Sequence, residues 1–220
     1  MKTTFLDILA NGVTFVLLTL VSISAIYFGL RPLTIFLFGD YHVLVDGLAG
    51  VTLYGVLSAV LMRLALFIWP LREGEYVSDL PYVVYWRWLT VTYHFGLKAL
   101  SPLTTLINLP LVLKLFGTKI APRAAIGGRI DTPYFVSIGQ GSVLGNNSVV
   151  SGDVISSGKL TLGHVRIGNG VTIGANTVVF PNVEIGHRAV LQVGAVVLPG
   201  TRIPAGENWR GNPARKWMGE

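Results

Sequence analysis

The chain has 220 residues, a formal net charge of +6, no cysteine and only 13% charged residues, and its mean hydropathy is +0.60. Soluble domains are rarely so apolar. No basic motif with interleaved aromatic residues occurs outside the segments that we expect near a membrane, so we set nucleic-acid binding aside. The basic residues are instead expected to attract anionic lipid, at about 1 kcal/mol for each residue near the surface.

The N-terminal third of the chain predicts a transmembrane helical hairpin. Residues 8–30 contain no charged side chain, and an apolar run of about 18 residues or more is typical of a transmembrane helix. A cleaved signal peptide is the alternative, but the run is too long and offers a poor cleavage site. A second apolar segment, 43–71, contains Asp46 and Arg63, which fit an interface or a bundle interior better than lipid.

Residues 80–116 predict helices that lie in the membrane interface or re-enter it. The stretch 82–93 is crowded with Trp and Tyr, whose rings settle at the headgroup level. Residues 99–113 contain two prolines and read as a bent helix rather than a third span, although spanning stays open.

The basic residues predict the orientation of the hairpin. The loop at 31–42 contains only Arg31, and six basic residues follow Leu71 in the next part of the chain. We therefore expect both termini on the cytoplasmic side of a bacterial inner membrane. The absence of cysteine is compatible with that compartment. These six residues are Arg72, Arg87, Lys98, Lys114, Lys119 and Arg123.

A six-residue repeat begins at Ile120 and continues for twelve hexads, with an imperfect one at Thr132 and a break after Val150. Such a period predicts a triangular parallel β-helix, in which one aliphatic residue per face points inward. A small residue two positions before each aliphatic residue is also expected to point inward. Successive coils stack at about 4.8 Å. A β-sandwich would instead show turn signals every 8–12 residues or so.

The repeat resembles the hexapeptide-repeat acyltransferases from about Ile120 to the end of the chain. The resemblance is carried by "IGNGVTIGAN…VEIG", by the closing "GNPAR" and by "DTPYFVSIG". It implies a left-handed parallel β-helix, a homotrimer with a site at each seam, and acyl transfer from a thioester to a hydroxyl or amine. The membrane part followed by "YWRWLTVTY" resembles the membrane-embedded C-terminal region of poly-amino-acid synthetases and their free-standing relatives.

The predicted fold class is therefore mainly β, a left-handed parallel β-helix preceded by N-terminal transmembrane α-helices. Three parts are expected along the chain. Residues 1–119 form the membrane domain, residues 120–206 the β-helix, and residues 207–220 a C-terminal capping segment.

The candidate catalytic residue lies where the repeat breaks. Residues 150–166 number 17, which is not a multiple of six, so a loop must be extruded there. The resemblance implies that such loops form the active cleft. His164 lies in this break, and a neutral imidazole is a suitable general base near pH 7. Asp153 lies in the same excursion and is the candidate for orienting it. A surface imidazole at a coil corner is the alternative interpretation of His164.

The other histidines have weaker patterns. His187 lies at a corner of a regular hexad, and the sequence leaves open whether His164 or His187 is the base. His42, in the loop between the spans, and His94, among the aromatic residues, are interfacial unless the acceptor is a lipid. The β-helix has only two histidines, 23 residues apart, and no cysteine. Because catalytic zinc prefers three protein ligands, we predict no metal.

The expected co-substrate is acetyl-CoA or another acyl-CoA, or a phosphopantetheine thioester on a carrier protein. The resemblance places this donor along a groove between two subunits, where small residues leave the backbone approachable and basic residues meet phosphates. The candidate donor-binding residues are Gly174, Ala175, Gly194, Ala195, Arg202, Arg215 and Lys216.

Two functions follow as hypotheses. The first is a membrane-anchored acyltransferase that acts at the cytoplasmic membrane face. The second is a non-catalytic trimeric membrane scaffold or assembly protein. Expected partners are two further copies of the chain, membrane lipid, and a carrier protein or biosynthetic complex. The sequence identifies neither the acyl group nor the acceptor, for which a polysaccharide, an amino acid or peptide, and a lipid headgroup all remain open.

Overall fold

The structure is a computed structural model that describes residues 4–77, 81–105 and 107–218. The chain divides into two compact units: Met1–Pro70 with Val84–Thr104, and Leu71–Val83 with Thr105–Glu220. The second unit contains the β-helix and also takes in residues 71–83 and 105–119, which the sequence assigned to the membrane domain.

Helices form the first unit, and one long helical run folds back on itself there. Thr4 and Asp7 begin the run with a capping box, in which the Thr4 N–H donates to Oδ2 of Asp7 at 2.7 Å. The chain reverses at Gly39, whose φ of 52° suits glycine. The returning helix contacts both halves of the outgoing one. The segments are α1 (Phe5–Ala25), a π-helix (Ile26–Leu30), α2 (Arg31–Phe38), a 3₁₀-helix (Gly39–Tyr41), α3 (His42–Ile68) and α4 (Pro81–Leu100).

Polar contacts hold α4 against α1. Arg87 Nη1 lies 2.6 Å from Oδ2 of Asp7, and both side chains are largely buried. Trp88 Nε1 donates to the Thr14 hydroxyl at 2.9 Å. Where a buried ion pair joins two apolar helices, the charges satisfy each other away from water.

The surface of the helical run is strongly apolar. Among the described residues, one continuous helical segment, Phe5–Ile68, is long and apolar enough to cross a membrane, and it contains the predicted span at 8–30 and most of the one at 43–71. Only 6% of its most apolar window is buried within the structure. Phe28, Phe36 and Phe67 are each about 80% exposed or more (79%, 84% and 86%).

The predicted bent helix at 99–113 is instead broken into three parts. The structure has the end of α4, a 3₁₀-helix at Ser101–Leu103 and α5 at Leu109–Leu115. Pro102 and Pro110 each occupy the first turn of their own helix. A proline is well tolerated there because the missing N–H would have no partner in the helix.

Three parallel sheets form the faces of a β-helix in the second unit. Each rung lies 18 residues from the next wherever the repeat is unbroken, as where Ile167 pairs with Ile185 and Ile185 with Ile203. The first sheet contains β2 (Lys119–Ile120), β5 (Val136–Ile138), β10 (Val165–Ile167), β13 (Glu184–Ile185) and β16 (Arg202–Ile203). The second contains β3 (Ala125–Ile126), β6 (Val143–Leu144), β11 (Thr172–Ile173), β14 (Val190–Leu191), β17 (Asn208–Arg210) and the antiparallel β18 (Arg215–Lys216). The third contains β4 (Arg129–Ile130), β7 (Val149–Val150), β12 (Val178–Val179) and β15 (Val196–Val197).

The core of the prism confirms the predicted inward positions. The aliphatic residue of each hexad is buried, for example Ile173 and Leu191, which are both fully inaccessible. In most hexads the small residue two positions earlier is buried as well, whereas Ala124 and Thr201 are partly exposed. Burial of both positions is the reason that the repeat has a six-residue period. These buried residues are Ser142, Ser148, Val171, Thr177, Val183, Ala189 and Ala195.

Both ends of the coil are covered. At the first rung, α5 contacts β2 and β3, and Leu113 and Phe116 are buried. At the last rung, β17 extends one sheet and β18 returns antiparallel to it. The Arg210 guanidinium lies 4.7 Å from the centre of the Trp217 ring. Solenoids need such caps because their terminal rungs would otherwise expose the core.

Candidate active site

A hairpin leaves the β-helix where the six-residue repeat breaks. Its strands are β8 (Asp153–Ser156) and β9 (Lys159–Leu162), joined at Ser157 and Gly158. Both joining residues have positive φ, 49° and 77°, as a two-residue type I′ turn requires. A third strand, β1 (Gly74–Val77), adds to β9 in antiparallel register, with Gly74 opposite Leu162. The excursion is therefore a three-stranded sheet within the second unit.

This register brings Glu73 to His164. Oε1 of Glu73 lies 2.5 Å from Nδ1 of the His164 imidazole, and both side chains are partly exposed. A carboxylate only accepts hydrogen bonds, so the His164 Nδ1 carries the proton and donates it to Glu73. In the neutral ring, the lone pair then lies on Nε2, which has no hydrogen-bond partner among the described residues. The arrangement presents a lone pair that can accept a proton.

The "DTPYF" segment packs against the imidazole and against the root of the hairpin. The buried Phe135 ring meets the His164 ring edge-on, with centroids 4.9 Å apart. The Thr132 hydroxyl accepts a hydrogen bond from the Gly152 N–H at 2.5 Å. The Gly163 N–H donates to the Gly152 carbonyl at 2.9 Å. The two strand ends at the root of the hairpin, Gly152 and Gly163, are thus tied to each other and to Thr132, directly before His164.

The predicted orienting residue has a different contact. An oxygen of Asp153 accepts a hydrogen bond from the Ser151 hydroxyl at 2.8 Å, and the carboxylate on the His164 Nδ1 is that of Glu73. Glu73 and Phe135 were not among the residues predicted from the sequence. The only signal for Glu73 was an acidic residue in "LREGEYV", a stretch without the apolar–polar alternation of a strand.

His187 has the opposite proton arrangement. Its Nδ1 accepts a hydrogen bond from the Asn169 N–H at 2.9 Å, so the neutral ring carries its proton on Nε2. His187 lines an open cleft of about 590 Å³ with Asn169, Arg188 and Gly206. A ring that presents an N–H donor there favours a positioning role, and His164 remains the better candidate base.

The small donor-binding candidates meet at one corner of the prism. Gly174 and Ala175 lie between β11 and β12, and Gly194 and Ala195 lie one rung above, where the Gly194 N–H donates to the Ala175 carbonyl at 2.9 Å. A Cβ on Gly174 would lie 2.6 Å from the Val193 nitrogen, so coil stacking itself requires this glycine. The Ala195 side chain is buried in the core. His164 lies at a different edge of the same prism.

The basic donor-binding candidates are distributed over two faces. Arg202 Nε lies 3.5 Å from Glu184 on the face that begins at His164. Arg215, in β18, is exposed and pairs with Arg210 in the strand register. Lys216 Nζ lies 2.6 Å from Oε1 of Glu207. Two of the three cations therefore already have a carboxylate partner.

The Glu207 contacts predict acid sensitivity at the C-terminal end. Hydrogen bonds from Lys216 and Trp209 hold the pKa of Glu207 below its usual value. A depressed folded-state pKa contributes stability above the unfolded pKa, and this stability is lost as the pH falls through the folded value. We expect the hydrogen-exchange protection factors of the amides in residues 208–218, which correct for the intrinsic pH dependence of exchange, to fall as the pH is lowered through this range. Glu207→Gln should remove that pH step, and an identical step in the variant would contradict the assignment.

Among the described residues, no group of three or more histidine, aspartate or glutamate side chains is placed to hold a metal ion.

Comparison with known proteins places the repeat in a class. Residues 164–199 match the family described as the hexapeptide repeat of succinyl-transferase, which covers the later rungs of the β-helix from His164 onward. No curated protein matches the chain significantly.

Several solved structures with partial likeness are acetyltransferases. A maltose O-acetyltransferase from Clostridium difficile 630 has 21% identity, covers 67% of this chain and 92% of its own, and has a TM-score of 0.48. A hexapeptide-repeat acetyltransferase from Vibrio cholerae has 18% identity over 52% and 80% of the two chains, with a TM-score of 0.42. A galactoside acetyltransferase in complex with coenzyme A has 19% identity over 50% and 68%, with a TM-score of 0.41. Likeness at this level does not by itself define an activity.

Proposed function

We propose that this protein is a membrane-anchored acyltransferase that moves an acyl group from a coenzyme A or phosphopantetheine thioester to a hydroxyl or amine. One observation carries the proposal. At the start of the hexapeptide-repeat match, His164 donates from Nδ1 to Glu73 and leaves Nε2 open at the root of an extruded hairpin. An imidazole held with its lone pair accessible is well suited to act as the general base of an acyl transfer.

In the proposed reaction, the acceptor oxygen or nitrogen attacks the thioester carbonyl carbon while His164 Nε2 removes its proton. The carbon–sulfur bond then breaks, and the leaving thiolate takes the proton from the imidazolium. Glu73 stays ionised and stabilises the positive charge that forms on the ring, as the carboxylate does in serine-hydrolase triads. The products are the acylated acceptor and a free thiol.

The membrane anchor is supported by the first unit. The helical run Phe5–Ile68 has the length and composition of a membrane segment, and so little of it is buried that it does not resemble the core helix of a soluble domain. Apolar side chains this exposed need a lipid or protein environment. An inner-membrane location with the β-helix in the cytoplasm, and kinship with the poly-amino-acid synthetase regions, stay predictions, as do the domain boundaries at 119/120 and 206/207.

Donor binding and trimer formation are linked in the proposal. Within one chain, the corner formed by Gly174 and Gly194 lies at a different edge of the prism from His164. A homotrimer would place the corner of one copy beside the His164 of the next, which is the arrangement that the family resemblance implies. Arg215, exposed near the end of the chain, is then the candidate for the phosphates of the donor. A carrier protein as donor and a biosynthetic complex as partner remain predictions.

Thiol release by the purified full chain in detergent tests the function. We expect acetyl-CoA or another acyl-CoA to bind and to release a free thiol when hydroxyl and amine acceptors are supplied. Isothermal titration with coenzyme A measures the binding step separately from turnover. No binding and no thiol release with a coenzyme A or carrier thioester would contradict the acyltransferase and favour the scaffold.

A further inference from the structure

A cavity of about 350 Å³ in the first unit lies where the π-helix meets the start of α3. Its lining includes Ile26, Tyr27, Arg31, His42 and Asp46. An arginine, a histidine and an aspartate around one cavity stand out in a unit whose exposed surface is largely apolar. Such residues in a membrane segment mark ligand or ion sites, and π-helical turns frequently occur at functional sites.

The charges around this cavity are not paired with each other. Asp46 accepts a hydrogen bond from the Thr34 hydroxyl at 2.7 Å, and the Arg31 guanidinium lies 4.9 Å from the centre of the Tyr27 ring. Neither Arg31 nor Asp46 forms an ion pair with any residue in the described parts of the chain. One cation and one anion on the same cavity complement a ligand that carries both charges.

His42 adds an unsatisfied acceptor to the same wall. Its Nδ1 lies 2.9 Å from the Gly39 carbonyl oxygen, to which it donates. Its Nε2 is inaccessible and has no partner within the described ranges. This nitrogen therefore cannot meet a ligand in this structure, and the accepting group that lines the cavity is the Asp46 carboxylate, which binds N–H donors. A quaternary ammonium has no N–H group and cannot provide this hydrogen bond.

An apolar cavity of about 500 Å³ adjoins the charged one, with Ile23 and Gly47 in the walls of both. No atom lies within 4 Å of a Cβ built on Gly47, so the space beside this shared residue is open. The hydroxyls of Thr19 and Ser22 in the apolar cavity donate to carbonyls of their own helix. These two hydroxyls therefore do not need hydrogen bonds from a ligand, and the cavity suits an acyl chain.

We propose that these adjoining cavities bind one ethanolamine phospholipid. Its phosphate meets Arg31, its ammonium group donates to Asp46, and an acyl chain lies between α1, α3 and α4. Charge complementarity selects the headgroup, and the adjoining apolar cavity selects a lipid over a free zwitterion. The inference rests on the membrane association proposed above, but not on acyl transfer.

Lipid retention by the purified full chain, measured by native mass spectrometry, tests the site. The probes are phosphatidylethanolamine, phosphatidylcholine and phosphatidylglycerol with identical acyl chains. We expect phosphatidylethanolamine to be retained about tenfold better than the other two, since a charge-assisted hydrogen bond is at stake. Asp46→Asn should abolish this preference, and Arg31→Gln should lower the retention of all three lipids.

Asp40→Asn is the matched control, because Asp40 is an exposed carboxylate in the same turn, and it should leave the preference intact. Equal retention of the three lipids by the unmodified chain would overturn the proposal without any variant. Displacement by millimolar glycine would also overturn it, in favour of a free zwitterion. Lys98 lines the apolar cavity. Loss of the preference in Lys98→Gln would place the headgroup beside Lys98 instead and would overturn the proposal. Cosedimentation with vesicles measures membrane association independently of the headgroup preference.

Discussion

Replacing His164 with alanine is expected to lower kcat/KM for acyl transfer about 10²- to 10⁴-fold, the range that general-base catalysis contributes. The acceptor would lose the only imidazole lone pair that the hairpin root presents, whereas donor binding would be largely retained. Thiol release from an acyl-CoA measures the rate, and titration with coenzyme A measures the binding.

His187→Ala is the matched control for this prediction. His187 uses its Nδ1 lone pair to accept from the Asn169 N–H, so its loss should alter turnover only a few-fold. A His164→Ala enzyme that keeps the full rate would remove His164 as the base while leaving the fold untouched. A large loss in His187→Ala alone would move the base to the other corner of the coil.

Replacing Glu73 with glutamine is expected to lower kcat by about tenfold or more, with little change in KM for the donor. Glutamine keeps the size of the side chain and can still accept from Nδ1, but it cannot neutralise the imidazolium that forms during proton transfer. Steady-state kinetics with varied donor separates the two constants. Partial rescue by Glu73→Asp would indicate that the charge matters more than the packing.

Glu75→Gln provides the control for the strand that delivers Glu73. Glu75 lies in β1 and pairs with Lys159 at 3.6 Å on an exposed surface, where such pairs contribute little. Equal losses in the two variants would mean that the strand, and not the Glu73 carboxylate, supports activity. A Glu73→Gln enzyme with the rate of the unmodified chain would exclude a positioning role.

The β-helix could be predicted from the sequence because its requirements are local. Each hexad contains one aliphatic residue that points inward, such as Ile167, Ile173 or Val179. An equivalent residue follows 18 residues later in the next rung. The excursion after Val150 could also be located, because an insertion breaks the phase wherever it occurs. His164 followed from that break.

The partner of His164 could not be predicted in the same way. Glu73 and His164 are 91 residues apart, and the contact depends on the pairing of β1 with β9. The register of an antiparallel strand pair cannot be predicted from a single sequence when no short turn joins the two strands. Asp153 was nearer in sequence, but its carboxylate accepts from Ser151. The helical region was similarly limited, since two prolines at 102 and 110 indicated a bend without showing that each would start a separate helix.

The added strand β1 has a practical consequence for how this chain can be shortened. A fragment that began at Ile120 would retain every rung of the prism, yet it would lack Glu73 and leave the edge of β9 open to pairing with foreign strands. The repeat is therefore not a self-sufficient module. A transfer of the β-helix to another protein would have to include, or replace, the short upstream segment that contains Glu73 and β1.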